Sequence, residues 1–367
     1  MKRFQKKYWT STLVLLVFTA ATLSACAAGP YAGAIAYQRV VDESSQIYVM
    51  DPEGEVKTLI SEGGGWFFLP SWSQDGEQVA FYFFNPGTQI TTVYTVDLTQ
   101  AELEPELLTD QGTYDLEFGS LKWSPDGESI LFYTVDVLEI ADIYKIDTAT
   151  GTVEDVFSET VFDDLAPDWS PDGTRFVFAS NRPNKDDPIY DLYLADANGE
   201  DLVQMTDNNG QGWVDTLPAW SPGGTKIAFF RYNYIPGEDF EGGPQGLWWV
   251  DVESTEFNLL YEMPVATEEL PPVWSPNGKY LAFLEPLDGK HVLRVMDAKS
   301  GELLGIGEVL GEKRTISWSP DSRALVFTNL HEGNVGIFIL DIRSGDLTEV
   351  MESDPGVSIG DPHWGGN

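Results

Sequence analysis

From residue 33 onward the chain alternates short apolar runs with polar turn residues, and no apolar stripe of helical spacing and useful length interrupts the pattern. The runs are rich in β-branched and aromatic residues, which favour strands. An apolar triplet ending in Phe recurs as Val79-Ala80-Phe81, Ile130-Leu131-Phe132, Phe176-Val177-Phe178, Ile227-Ala228-Phe229, Leu281-Ala282-Phe283 and Leu325-Val326-Phe327. Each follows, in fixed register, a turn phrase that opens Trp-Ser, at Trp72, Trp123, Trp169, Trp220, Trp274 and Trp318. Pro and Asp after Trp-Ser suit a tight turn, and the Gly that ends most copies takes the positive φ that closes it. A second apolar strand then ends in aspartate, at Asp51, Asp97, Asp147, Asp196, Asp251, Asp297 and Asp341. A carboxylate there can accept from the backbone two residues on and start another turn.

These seven aspartates lie roughly 44 to 55 residues apart, room for four short strands per unit, which predicts radial blades. The expected fold is all-β, a seven-bladed β-propeller over residues 33–367. Its first unit, Ile35 to Asp51, has no Trp of its own, and Asp361-Pro362-His363-Trp364 supplies the missing inner strand from the other end. The first blade is therefore expected to be closed by N- and C-terminal strands, a device that leaves no open edge in the ring.

Residues 1–25 read differently. Lys2, Arg3, Lys6 and Lys7 form a basic segment, and Leu13 to Leu23 an apolar stretch too short for a permanent span. Leu23-Ser24-Ala25-Cys26 follows, and it resembles the lipobox of bacterial lipoproteins. That resemblance implies a signal peptide over 1–25, a lipid on Cys26, a tether over 26–32 and an extracytoplasmic, membrane-anchored protein of the periplasm or cell surface. Cys26 is the only cysteine, so no disulfide forms within the chain.

The formal charge of −38, with 59 Asp and Glu against 21 Lys and Arg, repels nucleic acid and anionic headgroups alike. No nucleic-acid partner is expected, and membrane residence has to come from acyl chains. With 42% hydrophobic and 13% aromatic residues, the chain nonetheless has material for a large core and is no disordered acidic segment.

The Trp-Ser-Pro-Asp-Gly units resemble those of the TolB-like, WD40-like propeller family over nearly the whole of residues 33–367. The resemblance implies the fold; for function it implies a choice, since such propellers serve as protein-docking platforms, as gates on prolyl peptidases and as lyase scaffolds. The family's α/β domain has no counterpart between Cys26 and the first blade, and no second domain is apparent to carry a peptidase triad.

In a propeller the Trp turns and Asp turns share one face, and the blade-to-blade connections and longest inserts share the other. Loops on a rigid scaffold concentrate binding residues, and aromatics make good anchors. The candidate binding face is accordingly the insert face, with Trp66, Phe67, Trp213, Tyr232, Tyr234 and Phe240, while the repeated Trp and Asp residues are assigned structural work. His291, His331 and His363 are the chain's histidines and the candidate ligands of a metal, although their spacing matches no metal motif and none is expected. The sequence thus points to a monomeric propeller that binds an envelope protein or polymer without a cofactor. The alternative is a metal-dependent lyase similar to oligogalacturonate lyases.

Overall fold

The computed structural model describes residues 33–365, except positions 43, 56, 62, 110–116, 136–139, 158–160, 183–188, 209–211, 234–244, 264–269, 288–289, 311–314, 332–333 and 355. Cys26, Tyr234 and Phe240 lie outside the described residues.

The described strands form seven antiparallel sheets arranged as the blades of a propeller. Blade 1 is the composite: the C-terminal strand Val357–Gly365 pairs with Ala34–Val41, which pairs with Ser44–Met50 and then Lys57–Leu59. Ile35 lies opposite Trp364 and Ala36 opposite His363, so the ring closes as one strand from the C-terminal end and three from the N-terminal end. Blades 2, 4, 5, 6 and 7 each take their four strands consecutively, and in blade 3 the innermost strand is broken into Glu117–Phe118 and Lys122–Trp123.

The core is divided into seven apolar wedges, one between each pair of neighbouring blades. This division explains the recurring triplets. Ile227 and Phe229 point into the wedge shared with blade 4, whereas Ala228 and Phe230 point into the wedge shared with blade 6. A strand buried on both faces reads as a continuous apolar run even though its side chains alternate.

The repeated Trp residues other than Trp220 join one blade to the preceding one. The indole N–H of Trp123 donates to Ser71 O at 3.2 Å, Trp169 to Lys122 O at 3.0 Å, Trp274 to Ala219 O at 3.1 Å and Trp318 to Val273 O at 3.0 Å. All seven repeated aspartates accept backbone N–H groups within their own turns, as when Asp341 takes those of Arg343 and Ser344 at 2.8 and 2.9 Å.

Four inner strands carry a bulge just before the Trp. Leu69, Ala166, Leu217 and Asp361, each followed by Pro, have φ of 49°, 53°, 51° and 49°. Positive φ is uncommon outside glycine, and the residue before proline ordinarily prefers extended geometry. The extra residue breaks the side-chain alternation there, re-aiming the positions on either side of it.

Candidate functional site

Two regions come forward, one at each end of the propeller axis. The insert face is more strand-like than the sequence suggests. Trp66 and Phe67 begin the inner strand Trp66–Trp72 of blade 2, Trp213 begins Trp213–Trp220 of blade 5, and Tyr232 lies in its neighbour Lys226–Asn233. Phe67 is 2% exposed and packs on Phe81 and Phe83, and Tyr232 is 6% exposed. These two rings are part of the packed interior. Trp66 and Trp213 remain partly exposed at the insert ends of their strands.

Beneath this face, buried polar networks fix the loops of blades 4 and 5. Arg231 forms two 2.6 Å bonds to Asp215, which also accepts Asn208 Nδ2 at 2.8 Å. Asp191 accepts the backbone N–H of Asn208 at 2.9 Å and Gln204 Nε2 at 3.0 Å, and burial pushes its carboxyl up to about 6. Asp164 meets Arg182 at 2.7 Å in a fully buried position, and desolvation outweighs the guanidinium to raise it to about 7. Arg182 in turn lies over the ring of Phe157 at 4.5 Å. A desolvated carboxylate is tolerated when its oxygens find donors. Both oxygens of Asp215 and of Asp191 do, which holds these loops in one arrangement, whereas Asp164 Oδ1 is buried with no partner among the described residues.

At the other end a cavity of about 700 Å³ opens among the Trp turns on the propeller axis. Its wall follows from the fold. The residue before each Trp is the inner-strand position that wedge packing leaves facing the axis, and around the ring this position holds His363, Ser71, Lys122, Asp168, Ala219, Val273 and Ser317. All but Ala219 line the cavity. Lys122 Nζ lies 3.3 Å from Asp168 Oδ1, and Asp168 Oδ2 accepts the backbone N–H of Trp220 at 2.7 Å. Ser71 Oγ donates to Leu121 O at 2.8 Å, and Ser317 Oγ accepts Trp364 N at 2.9 Å. Burial, then the charge of Lys122, lowers His363 to about 4, so its imidazole is neutral at physiological pH. Leu270, Pro271, Val273 and Ile316 make the opposite wall apolar.

Three polar atoms of cavity-lining residues are buried without a hydrogen-bond partner among the described residues: Trp220 Nε1, Thr315 Oγ1 and His363 Nδ1. Sequence reasoning reached the Trp residues and stopped one residue short of this set. The position before each repeated Trp changes in chemistry from blade to blade, so no run of like residues marks it.

The histidines are not gathered. His291 follows the hairpin tip of blade 6 on the insert side, His331 ends the strand Ala324–His331 of blade 7, and His363 lines the cavity near the Trp-turn end. Among the described residues, no group of three or more His, Cys, Asp and Glu is placed to hold a metal ion. The pentapeptide Gly356-Val357-Ser358-Ile359-Gly360 fits the nucleophile-elbow pattern of hydrolases, which needs a sharp strand-to-helix turn. Here Ser358 sits in an extended strand opposite Val40, without that turn.

No protein-family profile matches the sequence. An uncharacterized protein of Agrobacterium fabrum is 28% identical over 197 residues, a segment that is 51% of this chain and 62% of that protein. The chain thus matches less than two thirds of that relative's length. TolB from Acinetobacter baumannii superposes with a TM-score of 0.55 at 20% identity, over 92% of this chain and 68% of TolB. Oligogalacturonate lyase from Vibrio parahaemolyticus gives 0.60 at 16% identity, over 83% and 85% of the two chains. The likeness is one of fold. It extends to a protein called TolB and to an enzyme, and leaves function to the residues.

Proposed function

We propose that this chain is a lipid-anchored, extracytoplasmic propeller that binds an envelope protein or polymer on its insert face. The observation that carries this reading is the half-buried state of Trp66 and Trp213 at the insert ends of two inner strands. Aromatic rings held at the edge of a rigid scaffold lose little freedom on binding and bring much apolar area, the usual make-up of a binding hot spot. The buried ion pair of Arg231 with Asp215 adds to the rigidity of the blade that carries Trp213, and the docking role implied by the repeat resemblance fits the same face.

The test is cross-linking in native membranes with Trp66→Ala and Trp213→Ala variants. The expected result is loss of the cross-linked species with little change in melting temperature, because neither ring is in the packed core. Undiminished cross-linking by the double variant would remove this face from consideration. The lyase reading rests on fold likeness and needs a shared metal, and His291 and His363 lie toward opposite ends of the axis. Metal analysis of chain purified without chelator tests that alternative directly.

A further inference from the structure

The axial cavity among the Trp turns has no part in the insert-face reading, yet three of the seven unpartnered buried side-chain atoms among the described residues belong to residues that line it. Buried donors and acceptors in native proteins are nearly always satisfied by protein, water or ligand, and leaving one unpaired costs about 1–3 kcal/mol. Trp220 Nε1 is informative because the corresponding indoles of Trp123, Trp169, Trp274 and Trp318 each donate to the preceding blade, and in blade 5 that bond is missing.

We propose that this cavity binds a neutral cyclic polyol, specifically a pyranose sugar residue.

Charge excludes the alternatives first. Lys122 and Asp168 neutralise one another across 3.3 Å, and the imidazole beside them is uncharged. An anion would face Asp168 and Asp361 at the mouth of a chain with formal charge −38, and a cation would have to displace Lys122 from its partner. A neutral ligand with both donors and acceptors uses the pair as it stands, taking a hydrogen bond from the ammonium and giving one to the carboxylate.

Shape then selects among neutral ligands. Ser317, His363, Ser71, Lys122 and Asp168 occupy equivalent positions in five successive blades, so their polar groups form an arc at one level of the axis. An extended peptide spreads its polar groups along a line and would leave most of that arc unpaired. A pyranose carries hydroxyls around its rim and C–H groups elsewhere, matching a polar arc that faces an apolar wall of Leu270, Val273 and Ile316. A cavity of about 700 Å³ holds one such ring with ordered water, within the range of small-molecule sites.

The whole chain is titrated with methyl β-D-glucopyranoside, methyl β-D-galactopyranoside and N-acetylglucosamine, with galacturonate and glucose 6-phosphate as charged counterparts. Saturation-transfer NMR and Trp fluorescence follow binding. The expected outcome is saturable binding of at least one neutral sugar, weakened about tenfold or more by Lys122→Met, as fits loss of a hydrogen bond to a charged group. His363→Gln provides a second wall variant should Lys122→Met not fold. Trp213→Ala, on the opposite face, leaves sugar binding unchanged, so failure here and failure of the insert-face reading are distinguishable. The proposal is overturned if none of the neutral sugars binds, if a charged sugar binds more tightly than its neutral counterpart, or if the wall variants bind as the parent does.

Discussion

The indole N–H of Trp72 donates to the backbone carbonyl of His363 at 2.9 Å, across 291 positions of sequence. At Trp123, Trp169, Trp274 and Trp318 the same bond joins blades that follow one another in sequence; here it ties blade 2 to the C-terminal strand that completes blade 1. Gly365 lies so close to the Trp72 ring that a β-carbon there would run into its Cγ, Cδ1 and Cδ2. Gly365→Ala is therefore expected to destabilise the protein by about 1–3 kcal/mol, the usual cost of overpacking. Urea denaturation measures this, and an unchanged midpoint would contradict the seam as described.

The Trp residues should not be equivalent in stability. Trp274→Phe removes the indole donor to Ala219 O, at a cost of about 0.5–1.5 kcal/mol beyond the lost packing. Trp220→Phe loses no such bond within the chain, so it should cost less. Paired chemical-denaturation curves decide the order, and a larger loss at Trp220 would count against the assignment.

Asp164 and Asp191 make stability depend on pH. Burial raises both folded-state values, to about 7 and about 6, above the value near 4 of an unfolded aspartate. The folded chain therefore holds protons that the unfolded chain releases between those values. This contribution is complete below about pH 4 and is lost as pH rises through 6 to 7. The melting temperature should fall between pH 5 and pH 8 for this reason, and Asp164→Asn should flatten the profile. A slope that survives the substitution unaltered would assign the dependence to other groups.

Replacing Cys26 with Ala should take the protein out of the membrane fraction, as uncleaved precursor or as soluble material. Fractionation with an acyl label checks this; a labelled, membrane-bound variant would refute lipidation at Cys26.

Much of this architecture is legible in the sequence because its repeated residues either pack against a neighbouring blade or close a turn. Trp123, Phe132 and Asp147 do the same work in blade 3 as Trp318, Phe327 and Asp341 do in blade 7, so identity marks position. Residues with no neighbouring blade to satisfy carry no such mark. Lys122, Asp168 and His363 share one level of the axis but differ in chemistry, and no pattern of like residues points to them. The insert face misleads for a related reason. Trp66 and Phe67 resemble a loop elaboration because they precede the repeated phrase, yet the inner strand begins at Trp66, and alternation sends Phe67 inward. The pairing of Asp164 with Arg182 is equally silent, since it depends on two strands meeting at one end.

The registry of Ile35 with Trp364 also bears on how the protein assembles. Until Val357–Gly365 docks, Ala34–Val41 presents an unpaired edge to any strand of suitable pattern. The equivalent strand of another copy is the best match available. In concentrated refolding, exchange of that strand would link one ring to the next. Dilution during refolding therefore favours single rings, and the composite blade is the point at which chained ones would form.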